Sequence, residues 1–277
     1  MKAKIQYMIL LAVTVLLAGC NNEQDPFNVS STKGSFALSL NSGEIVVNTE
    51  TRSEQEPTKL TPEQAANYNI MVYQNSNEIW AQTKKYSTLT GADCTLSVGS
   101  GYAVSAESCT EEEAETGFGC PRYAGKSESF EIKVSETTPV SVTCSPTNGG
   151  LCVVFDKSFT DVFGNYYVDI KDKRGLKFDR SNQATFTKVN GQDKRTGGAV
   201  AYYNMNPYSD EGLNLSLEIH ARGALVTNKT VLVKRGKITR FTILGPGGGT
   251  GTNTGTIDIE IGYDDDYGTD DNSINVD

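Results

Sequence analysis

Residues 94–106 read "CTLSVGSGYAVSA". Leu96 and Val98 alternate with polar neighbours before Gly99-Ser100-Gly101, and Tyr102, Val104 and Ala106 alternate after it. Successive side chains of an extended chain point to opposite faces, so an apolar residue at every second position marks a half-buried strand. Two such runs about a glycine-rich break predict paired strands around a tight turn, with Gly99 and Gly101 supplying positive φ. Working outward, the same period recurs in "GSFALSL" (34–40), "YNIMVYQ" (68–74), "ESFEIKVS" (128–135) and "PVSVTC" (139–144). It continues in "LCVVF" (151–155), "GNYYVDI" (164–170), "AVAYYNM" (199–205), "LNLSLEIHA" (213–221), "KTVLVKR" (229–235) and "ITRFTIL" (238–244). "IWAQTKKY" (79–86) reads as the strand returning from the "NSNE" turn. Helical signal is confined to "LTPEQAA" (60–66), where Thr61 is an N-cap, Pro62 opens the helix and Gln64 completes a capping box. Short strands separated by Gly, Asn and Asp turns predict an all-β fold of two tandem antiparallel Greek-key sandwiches with minimal helix. "SPTNGG" (145–150) reads as a turn between them, which gives a first sandwich over 34–147 and a second over 148–245.

The start of the chain carries a separate signal. Lys2 and Lys4 precede the apolar run "MILLAVTVLL", and Leu17-Ala18-Gly19-Cys20 follows. A basic head, a short apolar core and small residues before a cut describe a secretory signal peptide over 1–19. The run is too short to span a bilayer as a helix. Leu17 to Cys20 resembles the lipobox of bacterial lipoproteins, which implies that Cys20 is lipidated and becomes the new N-terminus. The competing reading is an ordinary cleavage site with an incidental cysteine. Several acyl chains on one cysteine anchor stably, so residues 20–33 read as a tether to a membrane; the expected location is the outer membrane, at the cell surface.

The formal charge is −9, and losing Lys2 and Lys4 with the signal peptide leaves −11. Eight acids and no base fall in residues 256–277. That balance argues against a nucleic-acid partner, which needs clustered Lys and Arg, and against a polybasic membrane patch.

Five cysteines remain beyond Cys20: Cys94, Cys109, Cys120, Cys144 and Cys152. Disulfides are allowed outside the cytoplasm. Cys109 with Cys120, and Cys144 with Cys152, are candidate pairs, since each pair flanks one loop or turn. The alternative is small buried thiols. No CxxC occurs, which disfavours zinc and thioredoxin-like readings.

The stretch from Tyr68 to Ile170 resembles a domain of uncharacterised function carried by fimbrillin-like surface lipoproteins of Bacteroidetes. The elements that carry the likeness are the strand with its "N-x-N-E" turn and the "L-x-V-x-S-G-Y-x-V-x-A" segment. "P-x-Y-x-G" (Pro121, Tyr123, Gly125) and the valine-rich strand ending at Cys144 follow in the same order. The Gly99-Ser100-Gly101 break and the extra cysteines depart from that pattern. The resemblance implies transthyretin-like β-sandwiches, a pilus-associated or adhesive role, other fimbrial subunits as partners, and no catalytic residues. It also implies cleavage by an Arg-directed protease, for which Arg52 in "NTETRSEQEP" is the candidate; an uncut exposed loop is the reading favoured by so short a match.

Chemistry-bearing residues are sparse. His220 is the one histidine and shares a strand face with Asn214, Ser216 and Glu218, so it reads as an exposed strand residue rather than a triad member. No G-x-S-x-G elbow or phosphate loop occurs, and the protein reads as a non-enzyme needing no organic cofactor. The alternative function is glycan binding on aromatic faces, with Trp80, Tyr202, Tyr203 and Tyr208 as candidates; alternation allows at most one of Tyr202 and Tyr203 into a core. Asp264, Asp266 and Asp270 around Gly268 are a calcium candidate, the competing reading being a solvated acidic tail. Residues 246–277 comprise a Gly-rich linker, the strand "TIDIEIG" with Ile257, Ile259 and Ile261 on one face, and that tail. Such a strand either closes the second sandwich of its own chain or adds to the edge of a neighbour. The anchoring expectation is direct: Cys20→Ala abolishes incorporation of a fatty-acid probe in labelled cells, and persistent label on the variant excludes acylation at Cys20.

Overall fold

The computed structural model describes residues 32–43, 58–205, 212–246 and 258–264. Within them the chain is all-β, with twenty strands and three short α-helices. The first half holds β1 (Lys33–Ser42), β2 (Thr58–Lys59), β3 (Asn69–Gln74), β4 (Asn77–Glu78), β5 (Lys84–Lys85), β6 (Thr95–Ser97), β7 (Gly99–Glu107), β8 (Tyr123–Lys126), β9 (Phe130–Ile132) and β10 (Thr137–Pro146). The second half holds β11 (Asn148–Phe155), β12 (Tyr166–Ile170), β13 (Lys177–Phe178), β14 (Thr185–Val189), β15 (Gln192–Gly197), β16 (Ala201–Asn204), β17 (Leu213–Ala221), β18 (Ala224–Val233), β19 (Ile238–Leu244) and β20 (Asp258–Asp264).

In the first half the hydrogen-bonded order is β2-β1-β10-β8-β7-β3-β4, with β6 on β1, β9 on β7 and β5 on β3. The sheet closes about Phe36, Leu40, Ile70, Val72, Val104 and Val142, contributed by strands on both sides of the core. In the second half, sheet β16-β11-β19-β20 faces sheet β13-β12-β17-β18. Leu151, Val153, Val168, Leu217, Ile219, Phe241 and Ile243 fill the space between them. A third cluster (Cys152, Ala184, Val200, Tyr202 and Ile238) lies on the opposite side of β11, where Phe186 of the β14–β15 hairpin packs against it.

Several sequence expectations are corrected. The ladders are not all antiparallel: β1 runs parallel to β10, and β11 parallel to β19. Parallel neighbours need a long crossover, and here whole strands intervene. β6 and β7 are not partners: β6 pairs with β1, while β7 pairs with β3, β8 and β9. The chain passes from one to the other through Val98, which is exposed. Of the two glycines only Gly101 has positive φ, at 77°. It lies where the β7–β9 register shifts, and its carbonyl accepts the Asn75 amide at 2.9 Å. A side chain there would run into the Asn75 amide group, so the glycine serves close approach of the β3–β4 turn. "SPTNGG" is not a turn either. β10 ends at Pro146 and β11 begins at Asn148, and the two strands do not pair. Gly150 is glycine for room: a Cβ would sit 2.6 Å from Val200 Cγ1. "IWAQTKKY" forms only the two-residue β5.

The helix expectation fits α1 (Pro62–Ala65), where Gln64 N donates to Thr61 Oγ1 at 3.3 Å and Thr61 N donates to Gln64 Oε1 at 2.9 Å. The same reciprocal box, Thr110 with Glu113, starts α2 (Glu111–Glu115), and Asp156 caps α3 (Lys157–Thr160).

β17 shows what the alternation stabilises. Leu217 is fully buried, and Asn214, earlier on the same strand, is exposed. Leu217→Ala is expected to lower unfolding stability by about 2–5 kcal/mol. Asn214→Ala should stay within about 0.5 kcal/mol. Urea midpoints at unchanged m-value measure both.

Candidate functional site

Two regions stand out once the strands are placed: the junction between the halves and the C-terminal edge strand. The junction is built around the loop from Cys109 to Cys120, which carries α2. From the first half, Arg122 holds it. Its Nε donates to Cys109 O at 3.1 Å, its Nη2 to Glu107 Oε2 at 2.7 Å and its Nη1 to Thr147 Oγ1 at 3.1 Å. Asn148 is fully buried at the start of β11; its Nδ2 donates to Cys120 O and its Oδ1 accepts Arg122 N, both at 2.9 Å. An amide with one donor face and one acceptor face thus satisfies two backbone groups beside the passage from β10 into β11.

From the second half, Arg174 reaches the same loop. Its Nη1 lies 3.2 Å from Glu115 O, 3.4 Å from Gly117 O and 2.9 Å from Tyr202 O. Its Nε donates to Asp172 Oδ2 at 3.1 Å, and the guanidinium stacks 4.0 Å over the Tyr203 ring. Asn204 N donates to Glu115 Oε1 and Asn204 Nδ2 to Glu111 O, both at 2.8 Å. A cleft of about 810 Å³ opens beside this loop, walled by Leu60, Tyr68, Phe118, Tyr123 and Tyr202, with Cys109 and Cys120 on its side.

The structure separates the cysteine candidates. Cys109 and Cys120 are brought together: a thiol–thiol hydrogen bond, then burial, pushes the Cys109 thiol well up. Cys144 and Cys152 are not a pair across a turn. Cys144 is a free thiol in the first core, its Sγ 3.7 Å from Ala106 O, and burial pushes it up to about 12. Cys152 belongs to the third cluster on β11.

Two of the aromatic candidates are also corrected. Tyr202 and Tyr203 are both buried, at 4% exposure each. Alternation sends them to opposite faces, but both faces of β16 are covered. Tyr203 enters the core between the sheets, and Tyr202 packs in the third cluster. Trp80 is partly buried against the first core with Lys84 Nζ 5.4 Å from its ring. Cys20, Arg52, Tyr208, Asp266 and Asp270 lie outside the described residues, and Asp264 is the last residue of β20.

β20 pairs antiparallel with β19 from Leu244↔Asp258 to Ile238↔Asp264 and is the edge of its sheet. Its apolar face is only partly used. Ile259 packs against the core, but Ile261 and Tyr263 are 48% and 46% exposed. Lys234 Nζ lies 4.7 Å over the Tyr263 ring. Among the described residues, no helix is long and apolar enough to cross a membrane.

With the two sandwiches and the C-terminal strand in place, one comparison decides the family. A family model described as a domain of unknown function, DUF4493, matches residues 32–277. The chain belongs to the DUF4493 family. The matched span of this DUF4493 chain begins just before β1 and runs past β20. Among solved structures, the chain is similar to the fimbrial anchor protein Mfa2 from Porphyromonas gingivalis, at 10% identity and a TM-score of 0.41, covering 82% of this chain and 97% of that one. It is also similar to a fimbrial assembly protein from Parabacteroides distasonis, at 11% identity and a TM-score of 0.39, covering 84% and 98%. No curated protein matches the sequence.

The junction predicts a pH dependence. Burial works against the Asp172 carboxylate, but hydrogen bonds from the Arg174 backbone and guanidinium and from the Tyr203 hydroxyl outweigh it and hold its pKa below the ordinary value. A depressed carboxylate contributes stability that is present above its unfolded pKa and lost as pH falls through the folded one. Stability should therefore fall on acidification below about pH 4. Asp172→Asn should be less stable at neutral pH and show a shallower acid slope, read from denaturant midpoints across pH.

Proposed function

We propose that this DUF4493 protein is a lipid-anchored, non-catalytic component of the bacterial outer surface that serves fimbrial assembly or adhesion. The observation that carries the reading is β20: a full-length edge strand whose apolar face is half unused in its own sandwich. Seven residue pairs hold it to β19, while only Ile259 of its described apolar residues packs against the core. Strand addition takes its affinity from main-chain hydrogen bonds and its specificity from alternate side chains. Ile261 and Tyr263 offer such side chains to a neighbouring subunit. The sequence resemblance to fimbrillin-like lipoproteins points the same way, and Cys20 supplies the membrane attachment.

At the other end, β1 lies between β10 and the pair β2 and β6, with Phe36 and Leu40 buried. A cut after Arg52 would sever β1, and the Cys20 attachment with it, from the rest of the chain; removal of the severed strand would leave the β10 edge and those two pockets open to a donated strand. An intact N-terminus on surface-purified protein retires that step and leaves an anchor or tip role.

The role of β20 is tested by hydrogen exchange on the monomer. Residues 258–264 are expected to exchange faster than β17. Protection equal to that of β17 makes β20 a fixed core strand and removes the donor role. Surface display is tested separately by added protease on intact cells, with a polymer ladder on electrophoresis as the assembly readout.

Cys109 and Cys120 close a disulfide in the mature protein on this reading. Each thiol loses a proton and the pair gives two electrons to an exchanging disulfide of the oxidising envelope compartment, forming one S–S bond. Non-reducing peptide mapping should find the 109–120 pair two hydrogens lighter, and reductant should lower the melting temperature. Two alkylatable thiols in freshly purified protein would overturn this.

A further inference from the structure

The outer face of the β12–β17 ladder carries a cluster that the strand alternation alone does not reveal. Register places Asp169 directly opposite Glu218 and Tyr167 directly opposite His220. Two like charges facing each other across a ladder are ordinarily unfavourable. Here they are accompanied by cations and a ring. Lys171 Nζ lies 3.6 Å from Asp169 Oδ2 and 3.4 Å from Glu218 Oε2, and His220 Nε2 lies 3.3 Å from Glu218 Oε2. One ligand atom each from Asp169, Glu218 and His220 falls within 4.8 Å of the others. The imidazole is held in place by the Tyr167 ring, stacked at 4.5 Å with planes 9° apart, and Lys177 Nζ lies 4.8 Å from that ring.

We propose that Asp169, Glu218 and His220 form a binding site for a divalent transition ion, zinc fitting the donor set best. One imidazole and two carboxylates on a rigid ladder match the nitrogen and oxygen ligands zinc takes at about 2.0–2.2 Å. An all-oxygen ion such as calcium has no use for the imidazole. The three atoms, within 4.8 Å of one another, need to close further, which side-chain rotation on a fixed strand pair allows. The charge also balances. Two carboxylates oppose the ion's double charge once Lys171 leaves, and the Lys171 side chain is 48% exposed and free to swing into water. Water completes the fourth position. The ammonium of Lys171, within 3.6 Å of both carboxylates, competes with the ion for them.

That competition separates a metal site from an ordinary ion-pair network. The test uses the full mature chain, titrated with zinc by calorimetry and with cobalt by visible absorption. One equivalent of cobalt should give the d–d bands of a tetrahedral site without thiolate charge-transfer absorption. His220→Ala and the near-isosteric Asp169→Asn, each checked for an unchanged fold by circular dichroism, should weaken zinc by at least the ~10–100-fold seen even for groups one shell out. Lys171→Met should tighten zinc while leaving the fold intact, whereas a purely structural network gains nothing from that change. Absence of d–d bands, thiolate absorption in their place, or equal affinity in His220→Ala overturns the site. None of these outcomes bears on strand donation by β20, which involves a different sheet.

Discussion

The Arg174 guanidinium is the fastening on which the two-sandwich arrangement depends. Its side chain is 10% exposed and collects carbonyl groups from both halves: Glu115 and Gly117 in the α2 loop, and Tyr202 in β16. Removing a cation from water is costly unless its charge and protons are matched. Asp172 provides the counter-charge and the Tyr203 face covers one side of the plane, while the buried Nη2 has no hydrogen-bond partner among the described residues. Arginine suits this place because its planar fork can donate in several directions at once, which a lysine ammonium on a flexible stem cannot reproduce. The loop so held is also gripped from the other side by Arg122 and Asn148. The passage from β10 into β11 is therefore a polar clamp, where a flexible linker between tandem domains would show few crossing contacts.

That clamp explains why some sequence signals carry through to the structure and others mislead. "LNLSLEIHA" is β17 and "ITRFTIL" is β19, with the bounds that their patterns suggest. The Thr61 and Gln64 box starts α1 as its chemistry requires. These are local signals, set by neighbours in sequence. The departures come where distant residues decide. Gly149 and Gly150 look like turn residues, yet they lie in β11 because Lys234, Val200 and Ile238 crowd it. Gly99 and Gly101 look like a hairpin tip, yet β7 runs through them. A glycine specifies that something is close or that φ is unusual, and the sequence does not say which.

The candidate sites are less legible than the fold for the same reason. Alternation puts Tyr202 and Tyr203 on opposite faces, and the inference that one is exposed assumes a sheet with a solvated side. The β14–β15 hairpin, Thr185–Val189 with Gln192–Gly197, carries Phe186 and covers that side. It lies in a polar stretch, and period-2 patterning gives no hint of it. Alternation puts His220 on the correct face with Glu218, but Asp169 joins them only through the β12–β17 register. The α2 start is readable: Thr110 followed three residues later by Glu113 is the same box as at Thr61, obscured by a run of acids.

The two ends of the molecule pose one physical problem with two solutions. An edge strand presents unpaired backbone groups, and a protein must cover, charge or shorten it. In the first half, β1 is hydrogen-bonded on both sides, and its alternate residues Phe36 and Leu40 are fully enclosed. Losing it would open ladder and core together. In the second half, β20 covers β19 but leaves Ile261 and Tyr263 half in water. Its binding to β19 is therefore mostly main-chain hydrogen bonding, each bond contributing about 0.5–1.5 kcal/mol net. Complete burial of an aliphatic side chain contributes more, roughly 1.5–3 kcal/mol. β20 realises that gain in part at Ile259 and much less at Ile261. A strand held chiefly by bonds that any other edge can supply equally well exchanges partners at small cost. A strand held by enclosed side chains, as β1 is, does not.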